Sequence, residues 1–141
     1  MKGKTMPSPV AELPAAAPDA AAAHYAAKLA FETDCSDVHA AFAGGRVDFI
    51  LLDVRSPALF AQSHVPGAIN LPHGKMTAHR MSEWAKDTLF VVYCAGPHCN
   101  GADKAAFRLA TLGLRAKLMI GGLTGWADEG LTFESEAIAG A

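Results

Sequence analysis

Five short apolar runs, separated by stretches in which hydrophobic positions recur every three or four residues, set the plan of this chain. The most continuous is Leu89-Phe90-Val91-Val92-Tyr93, rich in β-branched and aromatic residues, which reads as a strand buried on both faces of a parallel sheet. Val47–Asp53 and Ala116–Ile120 read the same way, Ala68–Leu71 as a brief strand and Leu29–Glu32 as a short first one. Between them, Thr33 or Asp34 can cap a helix that runs through Ala43 and ends at Gly44-Gly45. Pro57–Gln62 gives a helical turn or more, and Met76–Lys86 a helix with Met81 and Trp84 turned inward. A further helix is expected over Gly101–Leu112, capped by Asn100, with Ala102, Ala105, Ala106, Leu109 and Leu112 toward the sheet and Lys104 and Arg108 toward water. Trp126 is expected to plug the core. Strands alternating with helices specify an α/β fold with a parallel sheet covered on both faces, though not the order of the strands.

The ends of the chain read differently. Residues 1–23 form an Ala/Pro-rich extension, helical toward its end because Pro18 suits a first helical position and the Ala-rich sequence continues through Lys28. A single domain over 24–134 and a tail over 135–141 complete the organisation. A chain of 141 residues buries about two-thirds of its unfolded surface, and 51% hydrophobic residues suffice for a core. The formal charge of −2 provides no basic footprint, so nucleic acid is not an expected partner. Two early lysines could open an export signal, but Pro7, Pro9, Glu12, Pro14, Pro18 and Asp19 interrupt any apolar segment behind them. No membrane association and a cytoplasmic location are therefore expected. Oligomeric state does not follow from the pattern.

The chemistry concentrates where the strongest strand ends. Cys94 closes that strand, Gly96 and Pro97 bend the chain, and Asn100 starts the next helix. This arrangement puts a thiol at the carboxyl edge of a sheet, opposite inward-pointing N–H groups and the positive end of a helix. A free thiol has a pKa of about 8.5, and each unit of depression requires about 1.4 kcal/mol of preference for the thiolate. A helix terminus supplies roughly 0.3–2 kcal/mol, and each hydrogen bond to charged sulfur roughly 1.5–3 kcal/mol. The loop can therefore hold Cys94 as a thiolate near neutral pH without an adjacent Lys or Arg; His98 is its one potential cation. Asp53 falls at the carboxyl end of another strand, where ligands collect in open α/β sheets. Asp53 and Arg55 can face the Cys94 loop or tie neighbouring loops together. His64, before a Pro-Gly turn, reads as a loop brace. Cys35, at a helix start, is either a low-pKa thiol or a small packing residue.

These stretches resemble the rhodanese (thiosulfate sulfurtransferase) family. The loop from Cys94 to Ala102 is similar to that family's active-site loop, in the small bacterial pattern Cys-x-Gly-Pro-x-Cys-Asn-Gly-Ala. Leu51-Leu52-Asp53-Val54-Arg55-Ser56-Pro57, followed by His64-Val65-Pro66-Gly67-Ala68, is similar to its first signature, and Gly121-Gly122 with Trp126 to its closing motif. The resemblance covers about residues 29–130, with Ser63 where Gly is usual and Cys99 where Arg is common. It implies a rhodanese-like fold with a five-stranded, mostly parallel sheet. It also implies an enzyme in which Cys94 carries a persulfide, the backbone of Ala95, Gly96, Pro97, His98, Cys99 and Asn100 surrounds the substrate, and Asp53, Arg55 and His64 support. The expected partners are a small sulfur donor such as thiosulfate and a thiol or cyanide-like acceptor, including a protein thiol. No metal or organic cofactor is required.

Four rival readings remain. Phosphatase or arsenate-reductase activity needs a loop one residue longer that ends in Arg, whose fork matches a tetrahedral oxyanion; here the corresponding positions hold Cys99 and Asn100. Thiol redox or persulfide-carrier work would use Cys99 to resolve a sulfenic acid or persulfide on Cys94, provided the Cα atoms lie within about 7 Å; otherwise Cys99 packs beneath the loop. A zinc site on Cys94, His98 and Cys99 lacks a fourth ligand. A non-catalytic rhodanese-like binding module would not need a cysteine at the reactive position.

Overall fold

The computed structural model describes residues 5–136. The chain divides into two compact units, the first ending at Ala30 and the second beginning at Phe31. Helix α1 (Pro18–Phe31), all but its last residue in the first unit, has Asp19 in its first turn and Lys28 in its last, which suits the helix dipole, and buries none of its residues. The Ala-rich helix runs farther than expected and takes in Leu29, Ala30 and Phe31, so the first strand is displaced. It is β1, Glu32–Asp34, a short polar strand that apolar patterning could not identify.

The second unit follows as α2 (Cys35–Ala43), β2 (Ile50–Asp53), α3 (Pro57–Gln62), β3 (Ile69–Asn70), a 3₁₀ turn (His73–Lys75), α4 (Ala78–Met81), β4 (Leu89–Tyr93), α5 (Gly101–Thr111), β5 (Arg115–Ile120) and α6 (Gly122–Asp128). The strands form one five-stranded sheet in the order β1-β5-β4-β2-β3, and every pairing is parallel. Helix starts follow side-chain chemistry. Asp34 accepts from Asp37 N at the head of α2, Ser56 from Leu59 N at α3 and Thr77 from Arg80 N at α4.

Central β4 is buried on both faces, as its composition requires. Phe90 and Val92 join Leu52, Val54, Ala105 and Leu109 on one side, whereas Val91 and Tyr93 join Leu51, Val38, Met119 and Trp126 on the other. Helix α5 covers the first face, and α2 and α6 the second. Leu109 is wholly buried, worth about 1.5–3 kcal/mol of hydrophobic stabilisation. Trp126 sits in the core and donates from Nε1 to Thr132 O (2.9 Å).

Two expected elements are shorter than their apolar runs. Strand β2 begins at Ile50, the position that pairs with Phe90, and Val47 is left exposed. The helix expected over Met76–Lys86 is limited to Ala78–Met81. The Ser82 hydroxyl donates to His79 O, and Trp84 N turns back to Met81 O, so the chain leaves the helix there. Near the carboxyl terminus, Glu134 pairs with His64 in an antiparallel bridge, and Glu136 N donates to Ala61 O (2.9 Å). These contacts tie down the end of the domain and the start of the expected 135–141 tail, the rest of which lies outside the described residues.

Candidate functional site

Cys94 follows β4 at the carboxyl edge of the sheet and is 7% exposed. Its carbonyl oxygen accepts from Leu123 N (3.0 Å), and Ala95 O accepts from both Thr124 N (2.9 Å) and Thr124 Oγ1 (3.0 Å). The first turn of α6 thus fastens the start of the loop. That approach requires glycine: a Cβ on Gly122 would stand 2.3 Å from Cys94 O, at a backbone φ of +57°. Thr124 was not singled out from the sequence, because a threonine early in a helix looks like any capping residue.

Within the loop, Cys99 N donates to Gly96 O (3.1 Å) and closes a turn that brings the cysteines together. Cys94 and Cys99 are joined as a disulfide, with Cα atoms 6.4 Å apart. Cys99 therefore does not simply pack beneath the loop. Gly101, the first residue of α5, makes room for both sulfurs: a Cβ there would lie 2.9 Å from Cys94 Sγ and 3.4 Å from Cys99 Sγ. Gly101 N also donates to Cys99 Sγ (3.4 Å). A poor helix former at a helix's first position is the sequence signal that marks such a need. Asn100 occupies the N-cap position expected of it, but its side chain makes no capping bond. His98 and Pro97 are exposed on the outer bend.

Beside the disulfide lies a cavity of about 190 Å³, walled by Cys94, Gly96, Pro97 and Cys99 of the loop, Ala102 and Asp103 of α5, and Gly121 and Gly122. Among the described residues, its charged lining is Asp103 and Glu32, with no Lys or Arg. Among the described residues, no group of three His, Cys, Asp or Glu side chains is placed to hold a metal ion, and no helix is long and apolar enough to cross a membrane.

Asp53 and Arg55 do not line this cavity. The fully buried Asp53 carboxylate accepts from Arg55 N (2.9 Å), Arg55 Nε (3.0 Å), Arg55 Nη2 (2.7 Å) and the Tyr93 hydroxyl (2.7 Å). Arg55 Nη2 also donates to Ser63 O (2.5 Å), and Asn70 Nδ2 bonds Asp53 O and Arg55 O. The pair ties the loops at the sheet edge, which is the second of the two arrangements open from the sequence. It reaches Cys94 through Tyr93, the preceding residue, whose hydroxyl also accepts from Val65 N (3.0 Å). Burial first, and then the Asp53 charge, push the Tyr93 phenol far above its ordinary pKa, so it stays a hydrogen-bond donor. His64 stacks on Phe60 (ring centroids 3.7 Å apart), and its Nδ1 lies 2.7 Å from Phe60 O. It braces this segment.

Cys35 stands apart from the loop. Its Sγ lies 3.6 Å from Ile120 O and from Gly122 O, and burial pushes its thiol up to about 11, with Asp34 and Glu129 adding to the effect. The low pKa conceivable for a cysteine at a helix start is overturned by desolvation and by the acidic neighbours Asp34, Glu129 and Asp128.

The Rhodanese-like domain family matches residues 34–129 of this chain. A sulfurtransferase of Allochromatium vinosum is 34% identical over 84 residues, which is 60% of this chain and 77% of that protein. An HTH-type transcriptional regulator of Mycobacterium tuberculosis is 33% identical over 90 residues, 64% of this chain, and the matched stretch spans 39% of the regulator's length. Among solved structures, a Bacillus halodurans protein superposes with a TM-score of 0.81 at 37% identity, over 84% of this chain and 87% of that one.

Proposed function

This chain belongs to the rhodanese-like domain family, and on that premise we propose that it is a sulfurtransferase: Cys94 takes a sulfane sulfur from a donor such as thiosulfate and passes it to a thiophilic acceptor. The observation that carries this reading is the position of Cys94, at the end of a strand buried from Phe90 to Tyr93 and on the wall of a cavity of about 190 Å³.

The reaction starts from the reduced protein. Cys94 thiolate attacks the outer sulfur of thiosulfate, the S–S bond breaks, sulfite leaves with the bonding pair, and Cys94 holds the transferred sulfur as a persulfide. Pro97 has no N–H, and that of Cys99 is turned to Gly96 O. Charge on the sulfurs therefore falls to the N–H groups of Ala95, Gly96, His98 and Asn100, aided by the start of α5. Asp53, Arg55 and His64 act at one remove, by holding Tyr93 and the adjacent loops. An acceptor nucleophile, either a small thiol, cyanide or a protein thiol, then removes the outer sulfur. Because Cys94 must be reduced to begin, a reducing cytoplasm is the compartment that fits this chemistry.

The test is formation of thiocyanate from thiosulfate and cyanide by the pre-reduced protein. Turnover that disappears in Cys94→Ser supports the reading. Absence of both thiocyanate and hydrosulfide with thiosulfate and with organic persulfides as donors contradicts it, and leaves a binding module as the better description.

A further inference from the structure

We propose that Cys99 resolves the Cys94 persulfide, so that this chain reduces sulfane sulfur to hydrosulfide and closes the Cys94–Cys99 disulfide in doing so. The inference rests on the sulfur-transfer reading of Cys94.

The two sulfurs are bonded across a loop with four intervening residues, at a Cα separation of 6.4 Å, inside the range of about 4.4–6.8 Å that disulfides span. The Cys99 N–H to Gly96 O turn holds this approach, and the missing side chain of Gly101 leaves space for both sulfur atoms. The Gly101 N–H donates to Cys99 Sγ (3.4 Å), a contact that favours negative charge on the attacking sulfur. Both cysteines wall the same cavity, so a persulfide formed there has an internal thiol at hand before any external acceptor arrives. Cys94 is 7% exposed, whereas Cys99 is only half-buried. A bulky acceptor is thus hindered at Cys94, and the disulfide presents Cys99 as its accessible sulfur.

The chemistry balances. Cys99 thiolate attacks Cys94 Sγ in line, a bond forms between the two cysteine sulfurs, and the bond between Cys94 Sγ and the outer sulfur breaks. The outer sulfur departs with the electron pair as hydrosulfide, keeping the proton of the persulfide. The sulfane sulfur gains two electrons, which come from two cysteine thiols as they become a disulfide. A dithiol reductant restores the thiols by attack at Cys99 and is itself oxidised to its disulfide, which completes a cycle.

The test is a single turnover without oxygen or external thiol: reduced protein, freed of reductant, receives one equivalent of thiosulfate, and sulfite, hydrosulfide and intact protein mass are measured. The wild type is expected to release hydrosulfide in step with sulfite and to finish lighter than the reduced protein by two hydrogens. Cys99→Ser and Cys99→Ala are expected to finish heavier by one sulfur atom, with hydrosulfide reduced at least about tenfold. A wild-type protein that keeps the added sulfur and releases no hydrosulfide overturns the inference and leaves the sulfur-transfer reading intact. Hydrosulfide released equally by wild type and both variants also overturns it. Absence of both sulfite and added mass in all three proteins defeats the sulfur-transfer reading itself.

Discussion

Asp53, Arg55 and Tyr93 determine where the end of β4 stands, and hence where Cys94 is presented. Asp53 is fully buried with the Arg55 guanidinium against it. Removing its charge leaves that guanidinium buried without its partner, so Asp53→Asn is expected to cost about 3–5 kcal/mol, read as a lower urea midpoint at unchanged m-value. Gly101 links the packing of the loop to its chemistry. Gly101→Ala improves helix propensity by up to ~1 kcal/mol, yet its Cβ would meet Cys94 Sγ at 2.9 Å. Because that contact outweighs the propensity gain, the expected result is a melting temperature below wild type with sulfur uptake reduced at least about tenfold; normal uptake would show that the sulfur does not need this space. Cys35, with its thiol at about 11, is expected to resist alkylation at pH 8 in the native reduced protein and to react once denaturant is added. Because its folded pKa is raised, Cys35 contributes stability that is present below the unfolded value of 9.0 and is lost as pH rises from there through about 11.

At the scale of elements, β4 and α5 were legible because their patterns are unambiguous. Leu89 followed by four β-branched and aromatic residues reads as a buried strand, and α5 places Ala102, Ala105 and Leu109 on the buried face that the spacing assigns. Strand β1 was not legible: Glu32-Thr33-Asp34 is an edge strand held by ladder bonds to β5, with no apolar signature. The Cys94 loop was legible as a tight turn between strand and helix, but the pairing of Cys94 with Cys99 depends on the turn closed by Gly96 and on space at Gly101, neither of which spacing can measure. Nor could the apolar pattern foresee that Glu134 and Glu136 would dock on His64 and Ala61. Asp103 lies in the first turn of α5 and lines the cavity. Its carboxylate suits the helix dipole but opposes a dianionic donor. Asp103→Asn is therefore expected to lose about 0.3–1 kcal/mol of stability, while kcat/KM for thiosulfate rises about two- to tenfold at low ionic strength and less at high. An unchanged or lower value would place the donor away from this carboxylate.

For the whole molecule, a parallel sheet in the order β1-β5-β4-β2-β3 sets Cys94 on its carboxyl edge and lets α5 and α6 close around it. Family membership and the sheet were accessible from motifs in their order along the chain; the bond between Cys94 and Cys99 needed the folded loop. The central claim is that Cys94 is the atom that receives sulfur, and localisation of that sulfur tests it most directly. Reduced Cys99→Ser protein, which has no resolving thiol, is incubated with thiosulfate, and in parallel with an organic persulfide, then digested and sequenced by tandem mass spectrometry. The account predicts one added sulfur on the peptide containing Cys94, absent when Cys94→Ser is added to the same protein and removed by cyanide as thiocyanate. An added sulfur on Cys35, or on no cysteine with either donor, would contradict it.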